Sequence, residues 1–407
     1  MTEIALGTLV IVVLVLGLST GLVVLRQRLI PAEALDIDVN GSRHVPAQRG
    51  DKLLDALHNA DIPIPAACGG KGTCGLCRVT VTGEGAGEAQ ATERGVLSPK
   101  ERRDHVRLAC QTNLRGDCAV EVPEGVLSAG GGFACTLAST RMLAPLIREI
   151  VLDLPKDDPT AFHAGDFMQI TAPPYMLDFA TLNLPDAFRD AWQIAGWRDM
   201  QVASDAEVTR AYSLASRPED AGTAVFNIRL AVPPAGREGD VPPGIVSSWM
   251  FTLEPGDTVM ASGPFGEFHV QPTEREMVYV GGGVGMAPLR AMIHQELGHG
   301  TPRRIRYFYG ARSAADLYYT EEFEALAHDN ANFSWTPALS DPAPGDRWIG
   351  ATGFIHDILR TEMAGHPAPE DCEYYLCGPP VMISAVLATL ERLGVAPDSI
   401  FYDDFGT

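Results

Sequence analysis

Three cysteines stand in the run Ala67-Cys68-Gly69-Gly70-Lys71-Gly72-Thr73-Cys74-Gly75-Leu76-Cys77, and a fourth, Cys110, lies farther along. Nothing else in the chain restricts its folding so tightly. Four thiolates at C-x5-C-x2-C with a distant fourth can wrap a two-iron, two-sulfur cluster, provided the loop turns sharply and aims amide N–H groups at the sulfurs. Gly69, Gly70, Gly72 and Gly75 allow such φ angles. The loop is one residue longer between its first two ligands than the plant-type spacing. A zinc knuckle or a disulfide pair are the alternatives, but zinc usually takes two CxxC-like pairs and only Cys74 and Cys77 make one. The spacing predicts Cys68, Cys74, Cys77 and Cys110 as metal ligands of a 2Fe-2S cluster, and hence an electron-transfer protein.

Ile4 through Leu25 carries no charge over 22 residues. As a helix this run is about 33 Å long, enough to cross a bilayer core. A cleaved signal peptide would want a basic start and a small-x-small cleavage site, whereas Glu3 precedes the run and Arg26 and Arg28 follow it. By the positive-inside rule those arginines keep the rest of the chain on the cytoplasmic side. The span holds no ionisable group and therefore reads as an anchor with no ion path of its own. The net charge of −21 argues against nucleic acid as a partner, because phosphate neutralisation needs clustered Lys and Arg. Cys118, Cys135, Cys372 and Cys377 show no framework spacing, which fits a reducing compartment.

At 407 residues the length suggests two to four domains, and punctuation along the chain divides it. After an anchor in residues 1–30, Asp36 to Val39 and Arg43 to Val45 flank the hairpin signal Asn40-Gly41, and Asp51 is expected to cap a short helix running to about Ala60. With the cysteine loop these elements predict a β-grasp, ferredoxin-like domain over 31–127. Ser128-Ala129-Gly130-Gly131-Gly132 reads as a hinge. Strand-like segments at Leu146 to Leu152, Asp166 to Thr171, Ala224 to Val232 and Thr258 to Ala261 predict an antiparallel β-barrel over 128–272. An insertion at about 173–208 contains Trp192 and Trp197. From 273 to 407 the pattern strand, Gly-rich turn, helix, strand predicts a doubly wound α/β domain. The fold class is therefore multidomain.

Arg210-Ala211-Tyr212-Ser213 offers a phosphate-binding cation, an aromatic face and a hydroxyl within four positions, the three things a flavin needs; the plain alternative is a β-strand with alternating side chains. Gly244, Ser247 and Ser248 lie in a capped helix start whose N–H groups suit a pyrophosphate. Gly281-Gly282-Gly283-Val284-Gly285-Met286-Ala287-Pro288 follows a strand and opens a helix, so its amides could cradle a dinucleotide phosphate, although it is not a GxGxxG match. Cys377-Gly378-Pro379-Pro380 closes a later strand at the carboxyl edge, where open α/β sheets bind ligands. Glu321-Glu322-Phe323-Glu324 reads as a solvated helix face, and the ten histidines as surface or satisfied core residues.

The order RxYS, GxxSS, GGGxGxxP and CGPP resembles the ferredoxin–NADP⁺ reductase superfamily, with a ferredoxin domain in front. The N-terminal anchor, the insertion before Arg210 and the terminal Asp403-Asp404-Phe405-Gly406 resemble, within it, the family of F subunits of Na⁺-translocating NADH:quinone oxidoreductases. That resemblance implies that Arg210, Tyr212, Ser213, Gly244, Ser247 and Ser248 hold FAD, and that Phe405 stacks on its ring where nicotinamide must later sit. It implies that Gly282, Gly283 and Gly285, with Cys377, Gly378 and Pro379, form the NADH site, and that Ser213, Cys377 and Phe405 serve the catalytic step. Electrons would pass from NADH to FAD, then singly to the 2Fe-2S cluster, then to partner subunits and indirectly to ubiquinone while Na⁺ is pumped. The place implied is the bacterial inner membrane, crossed once. Cys135 matches a family position without a clear role, and Cys118 matches none. The reductase components of multicomponent oxygenases share these modules but are usually soluble and lack the insertion.

NADH is expected over NADPH. Arg306 to Gly310 would be the second strand of the nucleotide domain, and after it Arg312 and Ser313 could greet a 2′-phosphate. Asp316, Glu321 and Glu322 would oppose one.

Overall fold

The computed structural model describes residue 17, residues 33–66, 69–73, 75–123, 126, 132–155, 162–234, 236–237, 240–343 and 345–404. The anchor segment (Gly17 apart), the hinge up to Gly131, Cys68, Cys74 and Phe405 lie outside the described residues. Among the described residues no helix is long and apolar enough to cross a membrane. The chain divides into two compact units, Met1–Ile64 with Gly70–Leu127 and Pro65–Gly69 with Ser128–Thr407.

In the first unit, alternation of apolar and polar residues buries Leu35, Ile37 and Val39 on one face of β1 (Ala34–Val39). Asn40 and Gly41 both take positive φ, the type I′ geometry that returns the chain directly into β2 (Arg43–Gln48). Helix α1 (Leu53–Asn59) buries Leu53, Leu54, Ala56 and Leu57. Burial of each large one among them stabilises the fold by roughly 1.5–3 kcal/mol. Its N-cap is Lys52; the Asp51 carboxylate instead accepts the Gln48 amide, so the expected cap serves the turn before the helix. Then come β3 (Arg78–Thr82), the short helices α2 (Ala91–Arg94) and α3 (Pro99–Arg103), β4 (Val106–Leu108) and β5 (Cys118–Glu121). The sheet order is β2-β1-β5-β3-β4, with β1 and β5 parallel and the other pairs antiparallel, a β-grasp arrangement.

The second unit begins with β6 (Phe133–Ala144), β7 (Ile147–Asp153), β8 (Phe167–Ala172), β9 (Tyr175–Asp178), helix α4 (Asp186–Ile194), β10 (Gln201–Ser204), β11 (Val208–Ser213), β12 (Thr223–Arg229), helix α5 (Ile245–Met250) and β13 (Thr258–Phe265). Six of the strands form an antiparallel sheet in the order β11-β8-β13-β6-β7-β12. Ala215 N donating to Val225 O at 2.7 Å and a bridge between Leu214 and Phe226 bring its two edges together as a barrel. The stretch 173–208 forms the β9–β10 ribbon with α4, and it adds to the barrel core. Phe179, Leu182, Leu184 and the fully buried Trp192 share one apolar cluster with Ile150, Met168 and Phe226. Trp192 Nε1 donates to Pro145 O at 2.6 Å, satisfying the polar end of that ring.

The remaining elements are β14 (Met277–Gly282), α6 (Met286–Gly298), β15 (Ile305–Ala311), α7 (Thr320–Asp329), β16 (Phe333–Leu339), β17 (Ala351–Thr352), α8 (Ile355–Ala364), β18 (Glu373–Gly378), α9 (Pro380–Arg392) and β19 (Ile400–Asp404). The sheet is wholly parallel, in the order β17-β16-β15-β14-β18-β19. Strand order therefore reverses between β14 and β18, and the crevice outside their carboxyl ends is where such sheets bind ligands. The central strands are buried on both faces, so they read as continuous apolar runs such as Met277-Val278-Tyr279-Val280.

Candidate functional site

In the first unit Cys77 and Cys110 are both buried, and the segments carrying them are tied together, Ala109 N donating to Cys77 O at 2.9 Å. Gln111 Nε2 donates to Gly70 O at 2.9 Å and lies 3.5 Å from Cys110 Sγ, the kind of N–H contact that steadies a cluster thiolate. Gly75 takes φ +71°, and a Cβ there would come within 2.6 Å of Arg78 Nη1 and 2.7 Å of Val96 Cγ1, so the tight path of the loop requires glycine. Behind Cys110 lies a buried ion pair that the sequence did not announce. Arg107 Nε and Nη2 donate to the two Glu93 carboxylate oxygens at 2.8 and 2.9 Å, and Arg107 also donates to Ala86 O and Gly87 O. Glu93 in turn accepts Leu108 N at 3.0 Å and Gln90 N at 2.7 Å. Burial alone would raise the Glu93 carboxyl, but Arg107 and the two amides overcome it and hold it below the usual range. The donors and glycines present suit a 2Fe-2S cluster. Cys118 does not share this setting: it lies on β5, where it pairs with Ile37 of β1.

In the second unit Arg210, Tyr212 and Ser213 lie on β11, opposite Ile170, Met168 and Phe167 of β8. Gly244 precedes α5, where Ser247 Oγ accepts Ala231 N and donates to Gly244 O, both at 3.2 Å; this serine pins the helix start. Ser248 Oγ is fully buried on α5 beside the Tyr175 hydroxyl, with no partner in good hydrogen-bond geometry among the described residues, so a flavin phosphate or ribose would satisfy it. The donor set therefore suits FAD. Sequence reasoning gave Asp403 no role, yet Ser213 Oγ donates to Asp403 Oδ2 at 3.3 Å. Asp403 pairs with Cys377 across β18 and β19, and Cys377 pairs with Gly281 of β14. Ser213, Cys377 and Asp403 thus converge on the switch between β14 and β18. The signal that could have found Asp403 was its place on the last strand beside the CGPP turn.

Two glycine turns meet here backbone to backbone. A Cβ on Gly285 would lie 2.0 Å from Cys377 O, and one on Gly282 would lie 2.7 Å from Met382 Sδ. Tyr309 OH and Tyr318 OH both donate to Gly283 O, at 2.9 and 2.8 Å, fixing the turn from below. Pro379 caps α9. At the far side of the same sheet edge Phe354, 65% exposed and stacked on His356, offers a flat face just after β17.

The barrel and the α/β sheet are joined by one polar network. Arg290 of α6, with its side chain 5% exposed, donates Nε and Nη2 to Glu322 at 2.6 and 2.8 Å and Nη1 to Ala215 O at 2.7 Å, its guanidinium 4.3 Å from the Tyr319 ring centroid. Tyr319 OH lies 2.9 Å from the Asn227 side-chain amide and donates to the Glu149 carboxylate. This corrects the expectation of a solvated helix face at 321–324: Glu322 is an anchor for Arg290 and His294, and Phe323 is fully buried. Burial would raise the Glu322 carboxyl, but hydrogen bonds from His294 and Arg290 bring it down to about 2.

Glu276, His366 and Cys372 also gather within ligand reach of one another, at the amino ends of β14 and β18. Here they meet as a hydrogen-bonded group: Ala368 N donates to His366 Nδ1, His366 Nε2 lies 3.2 Å from Glu276 Oε2, and burial pushes the Cys372 thiol up to about 11.

Comparison with known proteins agrees with this layout. Family models match a 2Fe-2S iron-sulfur cluster binding domain over 37–115, an oxidoreductase FAD-binding domain over 194–270 and an oxidoreductase NAD-binding domain over 279–387. The chain is similar to the F subunit of the Na(+)-translocating NADH-quinone reductase of Idiomarina loihiensis, 42% identical with all of both chains covered. It is equally similar to the corresponding protein of Pseudomonas aeruginosa, 42% identical with 99% of each covered. Among solved structures it resembles the Amycolatopsis cytochrome P450 reductase GcoB, with TM-score 0.61 and 26% identity over 91% of this chain and 98% of that one. The ferredoxin reductase in carbazole 1,9a-dioxygenase, at TM-score 0.59 and 22% identity over 92% and 98%, shares the fold.

Proposed function

This chain belongs to the family of F subunits of the Na(+)-translocating NADH-quinone reductases, and from that premise we propose how its own residues carry the reaction. The protein is the NADH-oxidising, electron-input component of the complex, a flavoprotein with FAD-, NAD- and 2Fe-2S-binding domains. FAD, when bound, takes the two electrons of a hydride and releases them one at a time, which is what an iron–sulfur cluster can accept.

Arg210 supplies charge for the flavin pyrophosphate, Tyr212 a flat face, and the start of α5 with Ser248 the remaining polar contacts. Ser213 would hydrogen-bond the reacting edge of the ring, with Asp403 orienting that hydroxyl by accepting its hydrogen bond. Gly282, Gly283 and Gly285 bring bare backbone to the dinucleotide phosphates, and Gly378 and Pro379 shape the nicotinamide side beside Cys377. The family resemblance gives Phe405, which lies outside the described residues, the role of covering the flavin ring before nicotinamide arrives. The observation that carries this reading is the meeting of Ser213, Cys377 and Asp403 at the switch point. Cys68, Cys74, Cys77 and Cys110 would hold the cluster.

The segment Ile4 to Leu25 is a single membrane crossing that leaves the domains on the cytoplasmic side of a bacterial inner membrane, and ubiquinone is reached indirectly through other subunits. The test is NADH-driven quinone reduction by membranes carrying the complex, with and without Na⁺. Stimulation by Na⁺ that disappears with this chain supports the reading. Activity indifferent to Na⁺ would return the protein to the oxygenase-reductase class whose structures share its fold.

A further inference from the structure

The carboxyl end of β15 is where a parallel nucleotide-binding sheet meets the adenosine ribose, and a 2′-phosphate there needs donors at the start of the following loop. The loop has such donors in Arg312, Ser313 and Ala314, and a different aspartate takes up each. Arg312 Nη2 and Nε donate to Asp341 Oδ2 at 3.1 and 3.2 Å. Ser313 N and Oγ donate to Asp316 Oδ2 at 3.1 and 2.8 Å. Ala314 N donates to Asp346 Oδ2 at 3.2 Å, and the same oxygen accepts Ala343 N at 2.9 Å. Asp341 N donates to Arg312 O at 2.8 Å, which keeps the two loops side by side.

We infer that Asp341, Asp316 and Asp346 set the preference for NADH by filling the 2′-phosphate position with the chain's own carboxylates. The inference rests on the nucleotide site assigned above. Carboxylate oxygens accept hydrogen bonds, so they suit the hydroxyls of an unphosphorylated ribose. A phosphate adds about −1.5 to −2 charge and only acceptors, so it meets like charge and occupied donors. Glu322, expected to oppose a phosphate, is instead committed to Arg290. Asp341 is the element to remove first. It is 67% exposed and Arg312 78%, so the pair contributes little to folding and its loss frees the one guanidinium of this loop.

The test uses the full chain loaded with FAD and cluster, and compares kcat/KM for NADPH and NADH. It also uses calorimetric titration with adenosine 2′,5′-bisphosphate against 5′-ADP. Asp341→Asn should raise the NADPH-to-NADH ratio about tenfold, and Asp341→Asn with Asp316→Asn about 100-fold, with matching gains in bisphosphate affinity. Adding Arg312→Ala should erase most of the gain, identifying Arg312 as the released phosphate ligand. Variants that still oxidise NADH yet show neither gain would overturn the inference, as would wild-type protein binding the bisphosphate as tightly as 5′-ADP. Failure of the wild-type chain to oxidise NADH at all would instead overturn the underlying assignment.

Discussion

The first unit holds the segment leading to Cys110 with buried charge, whereas the second holds its nucleotide turns with shape. Glu93 and Arg107 tie β4 to the segment 86–90 through five hydrogen bonds to main-chain groups. The Gly282–Gly285 turn has no charged residue within it and is positioned because its glycine backbone lies flush against Cys377 and Gly378. A cluster loop must hold several thiolates at once, and a buried ion pair fixes such a loop with direction as well as distance. A dinucleotide turn has to admit a ligand against its own amides, and side chains there would only stand in the way.

The comparison makes its sharpest demand on Cys110. Replacing it with Ala should abolish the iron–sulfur absorbance while FAD stays bound; a full cluster in that variant would make Cys118 the fourth ligand instead. Glu93→Ala should be next, leaving the Arg107 charge buried and unpaired at about 3–5 kcal/mol. Thermal melts should then show the cluster lost at lower temperature with the flavin retained. Gly285→Ala should do the reverse, cutting kcat/KM for NADH by about 100-fold through displacement of the turn while the cluster spectrum is untouched. If both variants damaged both cofactors equally, the contrast between charge and shape would fail.

Smaller effects sharpen the picture of the network joining barrel and sheet. Because the folded Glu322 carboxyl sits at about 2, below its ordinary 4.5, its contribution to stability is fully present above pH 4.5 and is lost as pH falls toward 2. Melting temperature followed over that window should fall less steeply in Glu322→Gln. The smallest change should come from Arg141→Ala, which breaks a pair with Glu149 whose arginine is 63% exposed and should cost less than about 1 kcal/mol by denaturant titration.

Much of this was legible in the sequence, for physical reasons. Cysteine spacing, glycine turns and Asn40-Gly41 are local rules, and local rules survive without a fold. Barrel strands beginning near Leu146 and Asp166 were legible from alternation, whereas β6 was not, because Thr136, Ser139 and Thr140 dilute its pattern. Glu93, Arg107, Arg290 and Asp403 carry no local signature; each acquires its role from partners that are distant in sequence, 190 residues away for Ser213 and Asp403. The Glu322 helix misled because acidic residues in a first turn usually face water, and here Arg290 came to meet one of them.

The central claim is that electrons from NADH reach the cluster only through the flavin held by β11 and α5. Anaerobic rapid mixing of NADH with the full chain, cluster-loaded and either FAD-replete or FAD-free, tests it directly by following the paramagnetic signal of the reduced cluster. The signal should appear only in the FAD-replete protein and return when FAD is added back. Cluster reduction at an undiminished rate in the FAD-free protein would contradict the account.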